Sequence, residues 1–243
     1  MVSMADIGEP VMRVAIVENT EITHHGQVGV ALNEAGVRVQ IYKPYQDGLL
    51  PTVQDGFDAL VVFGGEQSAL DDADHPYLTR LGAVMRAMTD QGRAVLGICL
   101  GSQLLAREYG ADNLLGAARE FGWCDVALTK AGQADPVLGH LPAVFPIFEF
   151  HTDTFTLPKA AVLLAQTETA PQQCFRIGRA TYGMQFHFEA NRAVVADWAR
   201  ECPDIIEGRQ SGWLADHPAL AQTRGLASDA AGLAIARAWV ALI

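Results

Sequence analysis

The sequence predicts an α/β fold: a doubly wound, mainly parallel sheet with a partly antiparallel second half and a helical C-terminal extension. Two observations carry this. Through residues 13–110, short apolar runs alternate with stretches of helical spacing, the rhythm of a parallel sheet with crossover helices. Beyond residue 120 the apolar runs follow one another closely, with little helix between them. The elements follow in order. RVAIV at 13–17 reads as a buried strand. Residues 27–35 read as a helix ended by Gly36, 37–42 (VRVQIY) as an alternating strand, and 59–63 (ALVVF) as an apolar strand stopped by Gly64-Gly65. Residues 76–91 place Leu78, Leu81, Val84, Met85 and Met88 at helical spacing behind Pro76. A strand at 94–98 and a helix at 101–109, capped by Gly110, complete the first half. Strands are expected at 126–129, 144–150, 162–165, 174–177 and 180–186, and helices at 190–200 and 218–243. The division expected is one domain over 12–200, with residues 201–243 as a helical extension packed on it.

Composition narrows the function. Half of the 243 residues are hydrophobic and 19% are charged, enough apolar material for a sizeable core and too little charge for disorder. A net charge of −11, with no basic cluster, disfavours nucleic acid and anionic membranes as partners. The four cysteines, Cys99, Cys124, Cys174 and Cys202, form no C-x-x-C pair, so no metal site is expected, and they read as free thiols of a cytoplasmic protein. Residues 1–12 lack the basic-then-apolar pattern of a signal peptide, and no apolar run approaches the ~20 residues of a membrane span.

The segment RAVLGICLGSQLLAREY, residues 93–109, carries the chemistry. A strand runs into Gly97-Ile98-Cys99-Leu100-Gly101 and then a helix. In such a turn the glycines remove side chains that would collide as the chain doubles back, and the nucleophile is left at the tip. The helix N-terminus favours a thiolate, and the amide of Leu100 faces the space where an oxyanion develops. A lone cysteine is more often a buried, inert apolar residue; the paired glycines and the strand–helix setting reverse that reading. His187 and Glu189, two apart in YGMQFHFE, share a face if extended, so the carboxylate orients an imidazole base. Gly64-Gly65 after the apolar strand lets a backbone amide approach a substrate closely.

Together these residues resemble the class I, triad-type glutamine amidotransferases. The matching segments are Phe63-Gly64-Gly65 with Ser68, the turn from Gly97 to Gln103, and Gln185-Phe186-His187-Phe188-Glu189, in the family's order over about residues 12–200. The resemblance implies a flavodoxin-like, three-layer α/β/α core and hydrolysis of the side-chain amide of glutamine. It implies Cys99 as nucleophile forming a γ-glutamyl thioester, His187 as proton shuttle, Glu189 behind it, Gly65 and Leu100 amides as the oxyanion hole, and Gln103 near the bound glutamine. No cofactor is implied. Glu120-Phe121-Gly122-Trp123, Asp135-Pro136 and His151-Thr152-Asp153-Thr154-Phe155 resemble the free-standing, GMP synthase-like subgroup, in which some members cleave γ-glutamyl peptide bonds. Phe188 stands where the family has proline, a difference that bears on the turn carrying Glu189.

No Walker A motif or glycine/serine-rich phosphate loop is present, so a synthetase, where one takes part, is a separate protein. His151 and Asp153 read as structural or pocket-edge residues, and His24-His25 as a solvated loop or as edging the site. Three functions fit: a glutaminase that hands ammonia to a partner, a stand-alone γ-glutamyl peptide hydrolase, and a non-enzymatic stress or regulatory protein of the same fold. Stress proteins of this fold often place histidine directly after the cysteine, where this chain has Leu100.

Overall fold

The computed structural model describes residues 11–243; the expectation of no signal peptide concerns residues 1–12 and lies almost wholly outside them. The strands in chain order are β1 (Arg13–Val17), β2 (Arg38–Tyr42), β3 (Ala59–Val62), β4 (Ala94–Ile98), β5 (Asn113–Leu114), β6 (Glu120–Leu128), β7 (Val144–His151), β8 (Thr154–Phe155), β9 (Val162–Gln166), β10 (Cys174–Ile177) and β11 (Thr181–Met184). The helices are α1 (Gly26–Glu34), α2 (Pro44–Asp47), α3 (Tyr77–Asp90), α4 (Leu100–Glu108), α5 (Lys130–Gln133), α6 (Arg192–Glu201), α7 (Pro203–Arg209), α8 (Trp213–Leu220) and α9 (Leu226–Val240).

Nine strands form one sheet in the order β2-β1-β3-β4-β11-β10-β9-β6-β7, and β5 pairs with β8 separately. From β2 through β11 every pairing is parallel, and from β11 to β7 every pairing is antiparallel. The parallel half has the flavodoxin-like order, with β11 in fifth place. Alternation along β1 sorts the core into layers. Val14 and Ile16 pack with Val28 and Leu32 of α1 and with Ile235 and Trp239 of α9. Ala15 and Val17 pack with Leu78, Leu81 and Met85 of α3 and with Leu104 and Leu105 of α4. A third cluster, including Trp123, Phe148, Val194, Val195, Ile206 and Trp213, lies between the β6–β7 edge and helices α6–α8.

The first half follows the sequence reading to within a residue or so. The second half departs from it. β6 begins at Glu120 and not at 126, because cross-strand pairing with β7 extends it through Gly122 and Asp125, residues poor in strand propensity. Residues 203–209 form α7, which starts at Pro203, a good first helical position. α8 and α9 are joined by a π-helical turn, Ala221–Gly225, so the helical C-terminal stretch begins at Trp213. β11 ends at Met184, two residues earlier than expected. Among the described residues no helix is long and apolar enough to cross a membrane.

Trp239 is fully buried under the sheet on α9. Trp239→Ala is expected to lower the stability of the whole chain by about 3–5 kcal/mol, read as a shifted midpoint of a single urea transition. A separate early transition for residues 201–243 would mean that the extension is not part of the same cooperative unit.

Candidate active site

β1, β3 and β4 end side by side, and the segments that follow them line a cleft of about 350 Å3. Thr20, Ile22, Thr23 and His24 follow β1, Phe63 to Gln67 follow β3, and Cys99 follows β4. This is where open α/β sheets place ligands.

Cys99 has φ 50° and ψ −108°, and among the described residues it is the only non-glycine with positive φ. That conformation costs on the order of 1–3 kcal/mol and persists only where the surroundings enforce it. They do so through the flanking glycines. A Cβ on Gly97 would overlap the Gly101 carbonyl, and one on Gly101 would overlap the carbonyl of Val62 on β3. The amides of Ser102 and Gln103 donate to the Cys99 carbonyl at 2.9 and 3.1 Å, starting α4 directly under the thiol. Leu100, at the first helical position, has no acceptor one turn back, so its amide is available to a ligand.

His187 and Glu189 do not lie on an extended strand as expected. β11 stops at Met184, and the chain bends, with the Ala190 amide donating to the His187 carbonyl at 3.2 Å. The turn brings the pair together all the same. His187 Nδ1 is 2.7 Å from Glu189 Oε1, and both residues are buried. Phe188 is held from elsewhere in the chain: its ring is buried in the core, and its carbonyl packs against Gly232 of α9, where a Cβ would overlap it. The Glu189 carbonyl accepts from the amides of Gln27 at 2.9 Å and Asn191 at 3.0 Å.

Cys99 and His187 converge across Gly64, on which a Cβ would stand 3.2 Å from His187 Cε1 and 3.4 Å from Cys99 Cβ. Burial opposes the charged form of His187, but the negative charges of Glu189 and Cys99 outweigh it and hold its pKa well above the ordinary value. Glu189 at Nδ1 leaves Nε2 to face the thiol. Gly65 lines the cleft and touches Leu100 closely enough that a Cβ would stand 2.9 Å from Leu100 Cδ2. Its loop is tied by the buried Asn19, whose Nδ2 donates to the Phe63 carbonyl at 2.8 Å, and by Gln67, whose Nε2 donates to the Asn19 carbonyl at 2.7 Å. Sequence reading missed both residues, since nothing local marks them. Gln103 also lines the cleft and donates to Gln185 Oε1 at 3.1 Å.

Further side chains line the cleft or border it. His24 lines the cleft, and His25 stacks on Phe63 with centroids 5.1 Å apart while its Nε2 lies 2.8 Å from the buried Glu18; neither is simply solvated. Cys202, read as a free thiol, also lines the cleft. His151 lines it with Asp153, and its Nε2 lies 3.1 Å from Glu149 and 3.3 Å from Glu120. Among the described residues this is the group whose donor atoms, all within 4.8 Å of one another, are close enough to hold a metal ion. Burial lowers the His151 pKa, but the two carboxylates more than offset this and raise it to about 10. Gln173 donates to Glu120 at 2.6 Å and completes a buried ion cluster.

Two outcomes are expected in urea denaturation. Cys99→Gly is more stable than Cys99→Ala by about 1 kcal/mol, because glycine adopts positive φ without strain. His151→Leu strands two buried carboxylates and costs about 3–5 kcal/mol.

Residues 20–194 match the family Glutamine amidotransferase class-I. The chain is 32% identical over 182 residues to the glutamine amidotransferase-like protein YfeJ of Salmonella typhimurium, covering 73% of this chain and 76% of that one. It is 31% identical to a subunit of the glutamine-hydrolyzing GMP synthase of Thermoplasma volcanium, covering 74% and 84%. It is 29% identical to gamma-glutamyl peptidase 3 of Arabidopsis thaliana, covering 61% and 62%. The crystal structure of a glutamine amidotransferase from Thermotoga maritima, 23% identical, superposes with a TM-score of 0.85 over 96% of this chain and 99% of that one, an agreement of fold. With a family match over residues 20–194 and a 32% identical relative aligned over 73% of its length, the chain belongs to the class I glutamine amidotransferases.

Proposed function

We propose that this protein hydrolyses the γ-amide bond of glutamine or of a γ-glutamyl compound, with Cys99 as nucleophile, His187 as acid and base, and Glu189 as its orienting carboxylate. The observation that carries the reading is the strained backbone of Cys99, enforced by two glycines, in a cleft shared with a buried His187–Glu189 pair. Cys99 passes its proton to His187 as Sγ attacks the γ-carbonyl carbon, and the amides of Gly65 and Leu100 receive the oxyanion. His187 gives its proton to the departing nitrogen as the C–N bond breaks, leaving a γ-glutamyl thioester. Water then attacks with His187 as base, releasing glutamate and restoring the thiol. Gln103 positions the glutamyl group.

Residues 12–200 act as the amidotransferase domain and 201–243 as an extension that supports it. The reaction needs no cofactor, and we assign it to the cytoplasm. Identity to a subunit of a GMP synthase favours a second reading, in which the ammonia passes to a separate synthetase subunit.

Released glutamate, measured with L-glutamine and with γ-glutamyl peptides, tests the reading. Cys99→Ala is expected to reduce hydrolysis to background in a folded protein, and His187→Ala to lower kcat by about 10^2–10^4-fold. Wild-type turnover in Cys99→Ala would remove the mechanism.

The sign of the pH dependence follows from His187. Its raised pKa places the alkaline limb of kcat/KM well above the ordinary imidazole range. Glu189→Gln removes the larger of the two opposing negative charges, so the limb moves to lower pH. An unmoved limb would show that Glu189 does not set the protonation of the base.

A further inference from the structure

The cleft has two kinds of wall. One is built by Gly64 and Gly65 after β3, Gln103 on α4 and Asp153 between β7 and β8. The other comes from α6 and α7: Trp198, Cys202, Ile205 and Arg209, all C-terminal to the family match, which ends at residue 194. Position relative to His187 separates their uses. The amine that departs from the γ-carbon must take its proton from His187, so any substituent on the departing nitrogen lies on the His187 side. Trp198 stands edge-on to that imidazole, with centroids 5.3 Å apart and planes at 81°. Beyond it Ile205 is 51% exposed at the rim.

Among the described residues Arg209 is the only arginine or lysine lining the cleft, and it is half-buried. Among those residues it has no ion-pair or hydrogen-bond partner, whereas Arg192 and Arg200 on α6 and Arg224 and Arg237 further on each hold a carboxylate. Its position is set by the helix that bears it. α7 is anchored by Ile206, fully buried among Trp213 and its neighbours, and by Glu207, which accepts from the amides of Gly212 at 2.7 Å and Leu214 at 3.0 Å. A partly desolvated guanidinium, held in place and unpaired, suits a carboxylate ligand. Ammonia, the leaving group from glutamine, has nothing to offer an apolar wall ending in a cation.

We propose that the α6–α7 wall is a leaving-group site for γ-glutamyl amides of apolar amino acids or short peptides, whose free carboxylate pairs with Arg209 and whose side chain lies against Trp198 and Ile205. This rests on the hydrolase reading above. Cys99 Sγ forms the thioester bond, the γ-carbon–nitrogen bond breaks, the amine of the amino acid takes the His187 proton, and water returns glutamate.

The test compares γ-glutamyl-phenylalanine, its C-terminal amide and L-glutamine on the wild-type protein and on Arg209→Gln. The wild type is expected to show kcat/KM about tenfold higher for the free acid than for its amide. In Arg209→Gln the ratio of kcat/KM for the free acid to that for glutamine falls about tenfold. Equal rates on acid and amide, or an unchanged ratio in the variant, would overturn the proposal. Calorimetric binding of the same two peptides to Cys99→Ala separates it from the hydrolase reading. Preference for the free acid, lost when Arg209→Gln is added, supports the site even if no substrate turns over. Absence of binding, or binding without that preference, sinks the site even if glutamine is hydrolysed.

Discussion

The reversal of the chain between β4 and α4 is the constraint on which the site depends. Backbone meets backbone there without intervening side chains: Gly97 against Gly101, and Gly101 against Val62 of the neighbouring strand. A methyl group at either position would force the helix away from the sheet. Because the helix cannot retreat, Cys99 is held in a conformation its own side chain disfavours, at the one place where the first amides of α4 and the ends of β1 and β3 meet. The strain is borne by β4 and the fully buried strands on its two sides, β3 and β11, whose burial far exceeds it in free energy.

The His187–Glu189 pair depends on a different kind of support. His187 and Glu189 sit in a turn, and a turn has little intrinsic preference for one geometry. Its shape comes from elements remote in sequence. Gln27 at the start of α1 holds the Glu189 carbonyl, Gly26 and Gly232 leave room for the carbonyls of Glu189 and Phe188, and the His187 amide donates to Phe148 on β7 at 2.8 Å. Phe188 fits where the family has proline because its ring is taken into the core and the backbone is fixed from outside. The C-terminal helix α9 thereby takes part in the placement of Glu189.

In and beyond the cleft, buried ionisable side chains come in groups. Glu18 lies between His25 and Lys43, and His151 between Glu120 and Glu149. Asp135 accepts from Arg176 and Tyr182. Removing one member leaves the others desolvated and unpaired, so these groups hold loops in register more firmly than their net stabilisation suggests. Arg209, without a partner among the described residues at the edge of the same cleft, stands apart from this pattern.

Local sequence determined the alternation of strand and helix through residue 110, the turn that presents Cys99, and the identity of His187 and Glu189. Those features rest on interactions within a few residues: apolar periodicity, glycine flanking a tight reversal, and chemical type. The tertiary structure decided what depends on distant partners. β6 extends through Gly122 and Asp125 because β7 pairs with it along its length. Asn19 and Gln67 brace the Gly65 loop across 44 and 48 residues of sequence. His24 belongs to the cleft because β1 ends beside β3 and β4. The α6–α7 wall faces Cys99 only because Val194, Val195 and Ile206 bury against the β6–β7 edge. No local pattern encodes such contacts, since their free energy appears only once the sheet has brought the separated segments together.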